Sequence, residues 1–555
     1  VNISTDSSGE TMYSDSCSTG AGSVDIADAS STQTFYYKDT LSGGHNINVS
    51  VPGFTTQNAD SAAYTIDPAA ANKLVFTTDP TTSVVAGVAT ATQPIVEIRD
   101  THDNVRTADT DTVTLTAFTV AGCTSASGGT STGNTKSASS GIATFTALAH
   151  QKAETVYFKA TSGGLATDCT PNVVVSAAAA DMIEISAGGA QTTVAGVCVG
   201  TAITVRSKDQ YGNITTDNPG GTTVNISTDS SAETMYSDAC TTGSGTVVIA
   251  DASSTQTFYY KDTLSGGHNI DVSVPGFTTQ NADSAAYTID PAAADMIEIS
   301  AGGGQTTVAN ACVATAITVR TKDQYGNITT DNPGNTTVNI STDSSAETMY
   351  SDACSTGSGT VVVADASSTQ TFYYKDTLAG GHNIDVSVPG FTTQNADSAA
   401  YTISVAAANK LVITTDPSGT VVAGVATAAQ PVVEIRDVYD NVRTADTDTI
   451  TLTGYTVSNC SSASGGTSTG NTKAAASGVA TFTAFAHQKA ETAYFQATGG
   501  GLTTDCTTGV VVSAAAADMI EISAGGGQTT TANACVGTAI TVRTKDQYGN
   551  ITTDN

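Results

Sequence analysis

The sequence predicts an all-β chain, a tandem array of small Greek-key β-sandwich modules forming an extended rod. Three observations predict it: short segments alternate apolar with polar residues at period two, clusters of turn formers separate them, and long stretches of the chain repeat one another nearly residue for residue. The alternation is clear in Ala316-Ile317-Thr318-Val319-Arg320, in Thr337-Val338-Asn339-Ile340-Ser341 and in Asn383-Ile384-Asp385-Val386-Ser387-Val388, as expected of half-buried strands. Tyr325-Gly326-Asn327, Asp331-Asn332-Pro333-Gly334, Gly380-Gly381 and Pro389-Gly390 supply the turns. Strands this short, in a unit of roughly 110 residues, point to a sandwich of the immunoglobulin type, with almost no helix.

Repetition sets the modules. The string VNISTDSS begins at Val1, Val224 and Val338, and TQTFYYKDTL begins at Thr32, Thr255 and Thr369. A second unit opens with NKLV at Asn72 and Asn409, and its start aligns with ADMIEISAGG, whose Asp falls at Asp181, Asp295 and Asp518. Residues 1–71 are then the C-terminal part of a type 1 module, 72–180 a type 2 module, 181–294 and 295–408 two type 1 modules, 409–517 a second type 2 module, and 518–555 the N-terminal part of a type 1 module. The joints at 67–71, 176–180, 290–294 and 404–408 are short, Ala-rich and free of Gly, so successive modules are expected to be stiffly joined. A sequence that opens and closes inside a module is expected to be an excerpt of a longer repetitive thread.

Composition agrees with many thin cores. Only 13% of residues are charged, Trp is absent, and Ser plus Thr number 153 of 555, so polarity comes from hydroxyls. The net charge of −31 repels nucleic acid and anionic membranes, and no run of 18 apolar residues exists to span a bilayer. No nucleic-acid partner and no membrane span are expected.

Ten Cys fall one pair per module. Cys198 with Cys240 and Cys312 with Cys354 lie 42 residues apart, and Cys123 with Cys169 and Cys460 with Cys506 lie 46 apart. Constant spacing without CxxC or a neighbouring His reads as structural disulfides formed in an oxidising compartment. Cys17 and Cys535 are left over in the partial modules, each equivalent to half of such a pair, and would bond if one copy of the chain followed another.

The motifs NKLVFTTDP followed by VVAGV, QPIVEIRD and DN in type 2, ITVR-KDQYGNITTD in type 1, and TFYYKDT before a Gly-rich turn resemble those of bacterial immunoglobulin-like repeat proteins of the invasin and large-adhesin kind. The resemblance covers essentially the whole chain. It implies an extracellular, cell-surface stalk, fibre or adhesin, and no common ligand.

Chemistry is sparse by contrast. His45, His268 and His382 share one repeated context, His150 and His487 another, and no nucleophile, base and orienting group are expected to converge, so no catalysis is expected. Calcium is the one candidate cofactor. Asp100, Asp103, Asp109 and Asp111 of type 2 recur as Asp437, Asp440, Asp446 and Asp448, while Asp209 and Asp217 of type 1 recur as Asp323 and Asp331. Hard oxygen ligands at strand ends near a joint suit Ca²⁺, and the same residues equally suit turns that bond their own backbone. Sequons for N-linked glycan stand at Asn213, Asn225, Asn327, Asn339 and Asn550, among others. In each tandem pair, Tyr36-Tyr37, Tyr259-Tyr260 and Tyr373-Tyr374, one ring is expected in the core and the other outside.

The expected role is mechanical: a spacer of disulfide-stapled modules in an extracellular bacterial filament or adhesin stalk, whose partners are its own continuation or further copies of itself. Two alternatives stand beside it. One is an adhesin module contacting glycans or host protein, and the other is a subunit polymerising head to tail by complementation of its partial end modules.

Overall fold

A computed structural model describes residues 1–165, 169–502 and 505–553. The chain forms two compact units, Val1–Asp290 and Pro291–Asn555. It is all-β: no residue among those described is helical.

In the first unit, residues 1–70 hold β1 (Asn2–Thr5), β2 (Glu10–Tyr13), β3 (Tyr36–Asp39), β4 (Gly43–Ser50) and β5 (Ala59–Ile66). They make a sheet in the order β1-β4-β5 and a β2-β3 ribbon. The type 2 module follows with β6 (Ala71–Thr78), β7 (Ser83–Val85), β8 (Ile95–Asp100), β9 (Thr112–Phe118), β10 (Ser131–Thr132), β11 (Thr135–Ser137), β12 (Ile142–Thr144), β13 (Ala149–His150), β14 (Thr155–Thr161) and β15 (Val173–Ser176). Its sheets run β12-β8-β6 and β11-β9-β14-β15-β7, with a small β10-β13 ribbon.

The type 1 module holds β16 (Met182–Ala187), β17 (Thr192–Val194), β18 (Ile203–Lys208), β19 (Thr222–Thr228), β20 (Glu233–Tyr236), β21 (Thr246–Ile249), β22 (Thr255–Asp262), β23 (Gly266–Ser273) and β24 (Ala282–Asp290). One sheet is β16-β18-β22-β20 and the other β17-β24-β23-β19-β21. The first segment changes sheets at Gly188, where φ is +78° and a Cβ would lie 2.4 Å from the Ala202 carbonyl oxygen. Only Gly fits there. The switch lets β17 pair parallel with β24 while β16 stays antiparallel to β18.

The long β23–β24 hairpin, Gly266 opposite Ile289 through Ser273 opposite Ala282, fixes which residues face inward. Val224, Ile226, Phe258, Tyr260, Ile270, Val272, Tyr287 and Ile289 fill the space between the sheets. Tyr260 and Tyr374 are wholly buried, whereas Tyr259 and Tyr373, one step along the strand, stand half-buried on the opposite face. This arrangement is immunoglobulin-like with one difference. After β19 the chain crosses to the edge of the other sheet as β20 and returns as β21, so the strand that widens the second sheet comes after the crossing and not before it.

The second unit repeats these designs. Within 295–408 the same four-stranded and five-stranded sheets recur around Ile297, Val319, Val338, Val363, Phe372, Tyr374 and Ile403. The 409–517 region repeats the type 2 sheets around Leu411, Val433, Ile435, Phe482, Phe485 and Phe495. Strands Met519–Ala524 and Thr541–Lys545 then pair as a ribbon.

Disulfides join Cys123 to Cys169, Cys198 to Cys240, Cys312 to Cys354 and Cys460 to Cys506. They are not the inter-sheet bridge between core strands typical of antibody domains. In type 1 the bond ties the β17–β18 connection to the β20–β21 crossing. Cys17 and Cys535 are exposed and unbonded in this chain.

Closing a 42-residue loop adds about 4 kcal/mol by the chain-entropy estimate. Replacing both Cys198 and Cys240 with Ala is therefore expected to lower one unfolding transition of the chain by up to about that amount, read as a fall in guanidinium midpoint by circular dichroism. Reductant should move the wild-type transitions and leave that one transition of the double variant where it is.

Candidate functional site at the module joints

The repeated polar feature of the chain is a buried Asp four residues ahead of an Asn, at the C-terminal end of β8, of β18 and of their equivalents. Asp100, Asp209, Asp323, Asp437 and Asp546 are all 0% exposed. A bare carboxylate costs several kcal/mol in such a place. Each of these five is instead surrounded by N–H donors.

At Asp437, the backbone N–H groups of Tyr439 (2.8 Å) and Asn441 (2.9 Å) donate to Oδ1, and Asn441 Nδ2 donates to Oδ2 at 2.9 Å. A fourth donor comes from the linker: Ala406 N–H reaches Oδ2 at 2.9 Å. The linker bond recurs at 2.9 Å from Ala69 to Asp100, Ala178 to Asp209, Ala292 to Asp323 and Ala515 to Asp546.

The Asn completes the connection to the preceding repeat. Asn441 Nδ2 also donates to the Thr377 carbonyl at 2.8 Å, and Ala379 N–H donates to Asn441 Oδ1 at 2.8 Å. Asn213 meets Gln151 O and Ala153 N–H in the same way, Asn550 meets Gln488 O and Ala490 N–H, and Asn104 meets Thr40 O and Ser42 N–H. One side-chain amide thus bridges its own Asp and a loop of its neighbour.

The surroundings differ between module types. In type 2, Arg106 Nη1 donates to the carbonyls of Pro68 (3.0 Å) and Ala69 (2.7 Å) while its other nitrogens grip Asp109. Arg443 does the same toward Ala406 and Asp446. In type 1 a hydroxyl replaces the guanidinium: Thr215 donates to Ala178 O at 2.7 Å and Thr329 to Ala292 O at 2.8 Å. Tyr211, next to the lock, packs on the core of the preceding type 2 module. Gly87 is obligatory beneath it, since a Cβ there would run into the Tyr211 ring.

Burial raises the carboxyls of Asp100, Asp437 and Asp546, but the hydrogen bonds from the Asn amide and the backbone outweigh it, and all three sit below the usual carboxylate range. They are charged at neutral pH.

These contacts redistribute the residues proposed as calcium ligands. Asp103 pairs with Lys73 and Arg99, and Asp440 with Lys410 and Arg436. Asp109 and Asp446 pair with Arg106 and Arg443. Asp111, Asp217, Asp331 and Asp448 are exposed and contribute backbone carbonyls, to Ala138, Ala180, Ala294 and Ala475. Among the described residues no three His, Cys, Asp or Glu side chains form a group able to hold a metal ion. Basic residues and N–H groups occupy the carboxylates of Asp100, Asp103, Asp109, Asp209, Asp323, Asp437, Asp440 and Asp446 one by one.

The sequons divide as well. Asn213 and Asn550 spend both ends of their amides on the lock, and Asn327 is buried with its amide on Asp323. A glycan on Asn213 or Asn550 would break the joint, and one on Asn327 would displace the amide that Asp323 holds. Asn225 and Asn339 lie half-buried on strands with no side-chain bond of this kind.

One expectation is corrected. A hydroxyl, an imidazole and a carboxylate do converge in type 2: His150 Nδ1 lies 2.9 Å from Ser131 Oγ, and its Nε2 lies 3.2 Å from Glu154 Oε1, with Ser127 also on that carboxylate. Ser468, His487, Glu491 and Ser464 repeat the set. These are the group types of a hydrolase, but the imidazole is 1% exposed, beneath Gly129, whose Cβ position lies 2.6 Å from the ring. What the network holds is the turn carrying Gln151 O and Ala153 N–H to Asn213. Burial keeps His487 below its ordinary value despite Glu491 beside it. The repeated AHQKAE string was the signal in the sequence.

No protein-family model matches the sequence, and no curated protein matches it. Among solved structures, the chain is similar to the surface layer protein SbsC, domains 1–6, at 14% identity over 91% of this chain and 62% of that one, with a TM-score of 0.21. The chain thus spans less than two thirds of that structure's length. It is also similar to InvD of Yersinia pseudotuberculosis (17% identity, 60% and 96% covered, TM-score 0.25) and to the protocadherin gamma B4 extracellular domain (12%, 93% and 78%, TM-score 0.26). Values this low leave the fold assignment to the strand topology itself.

Two outcomes follow from the lock. Asp437→Ala strands four N–H donors in a buried site, at roughly 1 to 3 kcal/mol for each donor that finds no water, so about 3 kcal/mol or more of lost stability is expected. Hydrogen exchange should accelerate at Ala406 and Tyr439 in that variant, and at Ala379 in Asn441→Ala. The second outcome concerns pH. A carboxyl depressed by folding adds stability that is complete above its unfolded value of about 3.9 and is lost as pH falls through the folded value. Melting temperature should hold steady from pH 7 to 5 and drop below about pH 4, with a shallower acid slope in Asp437→Ala.

Proposed function

We propose that the chain is a structural repeat region, a mechanical spacer within an extracellular bacterial filament or adhesin stalk. The observation that carries this reading is the joint. Four described joints share one hydrogen-bonded design, and that design links a linker amide, a buried carboxylate and a loop of the preceding repeat. A flexible tether has no use for such a device, whereas a load-bearing spacer needs its modules held in register.

Four disulfides favour an oxidising, extracellular setting, and the charge of −31 keeps such a surface soluble and opposes close lateral packing of copies. The mechanism is additive: each module resists extension through its ladders and its covalent staple, and copy number sets length.

Small-angle scattering tests the reading. The wild-type chain supplies the reference curve. In the quadruple variant Asn104→Ala, Asn213→Ala, Asn441→Ala, Asn550→Ala the mean dimension should shorten while module melting is largely kept. Identical scattering curves for the two would refute the joint as the source of stiffness.

A further inference from the structure

The outer face of the five-stranded sheet carries a groove at one position in both complete type 1 modules. In 181–294 it has a volume of about 400 Å³ and lies between Thr223 and Asn225 on β19 and the Val274-Pro275-Gly276-Phe277 turn. In 295–408 it measures about 530 Å³, between Thr337 and Asn339 and the turn ending in Phe391. Grooves of this size hold ligands of a few rings. The type 2 modules have no Val-Pro-Gly-Phe turn.

Three properties define what the groove takes. Its lining carries no charged side chain, in a chain of net charge −31, so an ion is not its partner. Phe277 and Phe391 are half-buried and present part of a ring beside hydroxyl and amide groups, a mixture that suits a neutral molecule with apolar faces and a polar rim. Asn225 and Asn339 each begin an Asn-Ile-Ser sequon, and neither amide makes a hydrogen bond among the described residues, unlike the sequon residues Asn213 and Asn550 that lock the joints.

We infer that this groove is a saccharide site, in which a pyranose ring lies against Phe277 or Phe391 and its hydroxyls meet the Thr and Asn groups alongside. The sugar has two sources. It is a free glycan, or it is carried by the chain itself at Asn225 and Asn339. In the second case the Asn Nδ2 forms a bond to the anomeric carbon of an activated glycosyl phosphate, the phosphate leaves with the C–O electron pair, and the amide nitrogen gives up one proton. The inference is independent of the spacer reading, since the Thr, Asn and Phe side chains it uses take no part in the locks.

The test uses the full chain. Site-localised peptide mass spectrometry of protein from the cells that make it is expected to show whole hexose or N-acetylhexosamine increments on Asn225 and Asn339, absent in Asn225→Gln and Asn339→Gln, if the sugar is carried. If those peptides are unmodified, saturation-transfer NMR with N-acetylglucosamine and methyl mannoside should show transfer to the sugar ring protons, falling at least five-fold in Phe277→Ala plus Phe391→Ala. Thr223→Glu plus Thr337→Glu, which leave the rings in place but charge the groove, should give the same loss and guard against misfolding of the Phe variant. Unmodified peptides with no transfer, transfer that both double variants retain, or glycan on Asn213 or Asn327 in place of Asn225 and Asn339 would each overturn the proposal.

Discussion

The carboxylate buried at the head of each repeat constrains everything around it. Taken out of water it must find donors, and the donors come from three places: the turn that follows it, the Asn four residues on, and a linker amide 31 residues before it. The linker therefore cannot swing without exposing a charge to an apolar setting. Because the same Asn also bonds a loop of the preceding repeat, the position of the neighbour is drawn into the same network. A polar network of this kind is strong only when complete, which explains why its members recur together at every copy.

Two module types meet this constraint with different materials. Type 2 surrounds the linker carbonyls with Arg106 or Arg443, each held by a bidentate bond to an Asp, and type 1 uses Thr215 or Thr329. A guanidinium offers several fixed donors, and a hydroxyl offers one, but both satisfy a carbonyl that the strand ladder leaves open. The preceding side is prepared as well. The His150 and Glu154 pair, with Ser127 and Ser131, stiffens the turn that receives Asn213, so a grouping that resembles catalytic machinery serves as a bracket.

Much of the fold was legible in the sequence. Alternation in Thr337–Ser341 and Asn383–Val388 gave strands, and in Tyr259-Tyr260 and Tyr373-Tyr374 the second ring is wholly buried while the first is half-buried, as strand alternation requires. Identical Cys spacings mark the residues that the disulfides join. The joint was legible only in part. Asp and Asn at a spacing of four were visible in every repeat, but those letters suit a cation site, a turn or a buried lock equally, because all three use the same oxygens. Which one holds depends on Ala406, Thr377 and Ala379, none of which looks polar or functional in a sequence.

The sequence by itself determined the repeats, their order and many of the strands within them, because these rest on local periodicity and on repetition that the chain displays along its length. Tertiary structure alone decided the β20–β21 crossing, the burial of Asp437 and its equivalents, the pairing of Asp103 and Asp440 with Lys73 and Lys410, and the groove beside Phe277. The physical reason is distance along the chain. The linker and neighbouring-loop partners of each Asp and Asn lie 31 to 64 residues away, and their identity follows from how sheets pack and not from any pattern that neighbours in sequence carry.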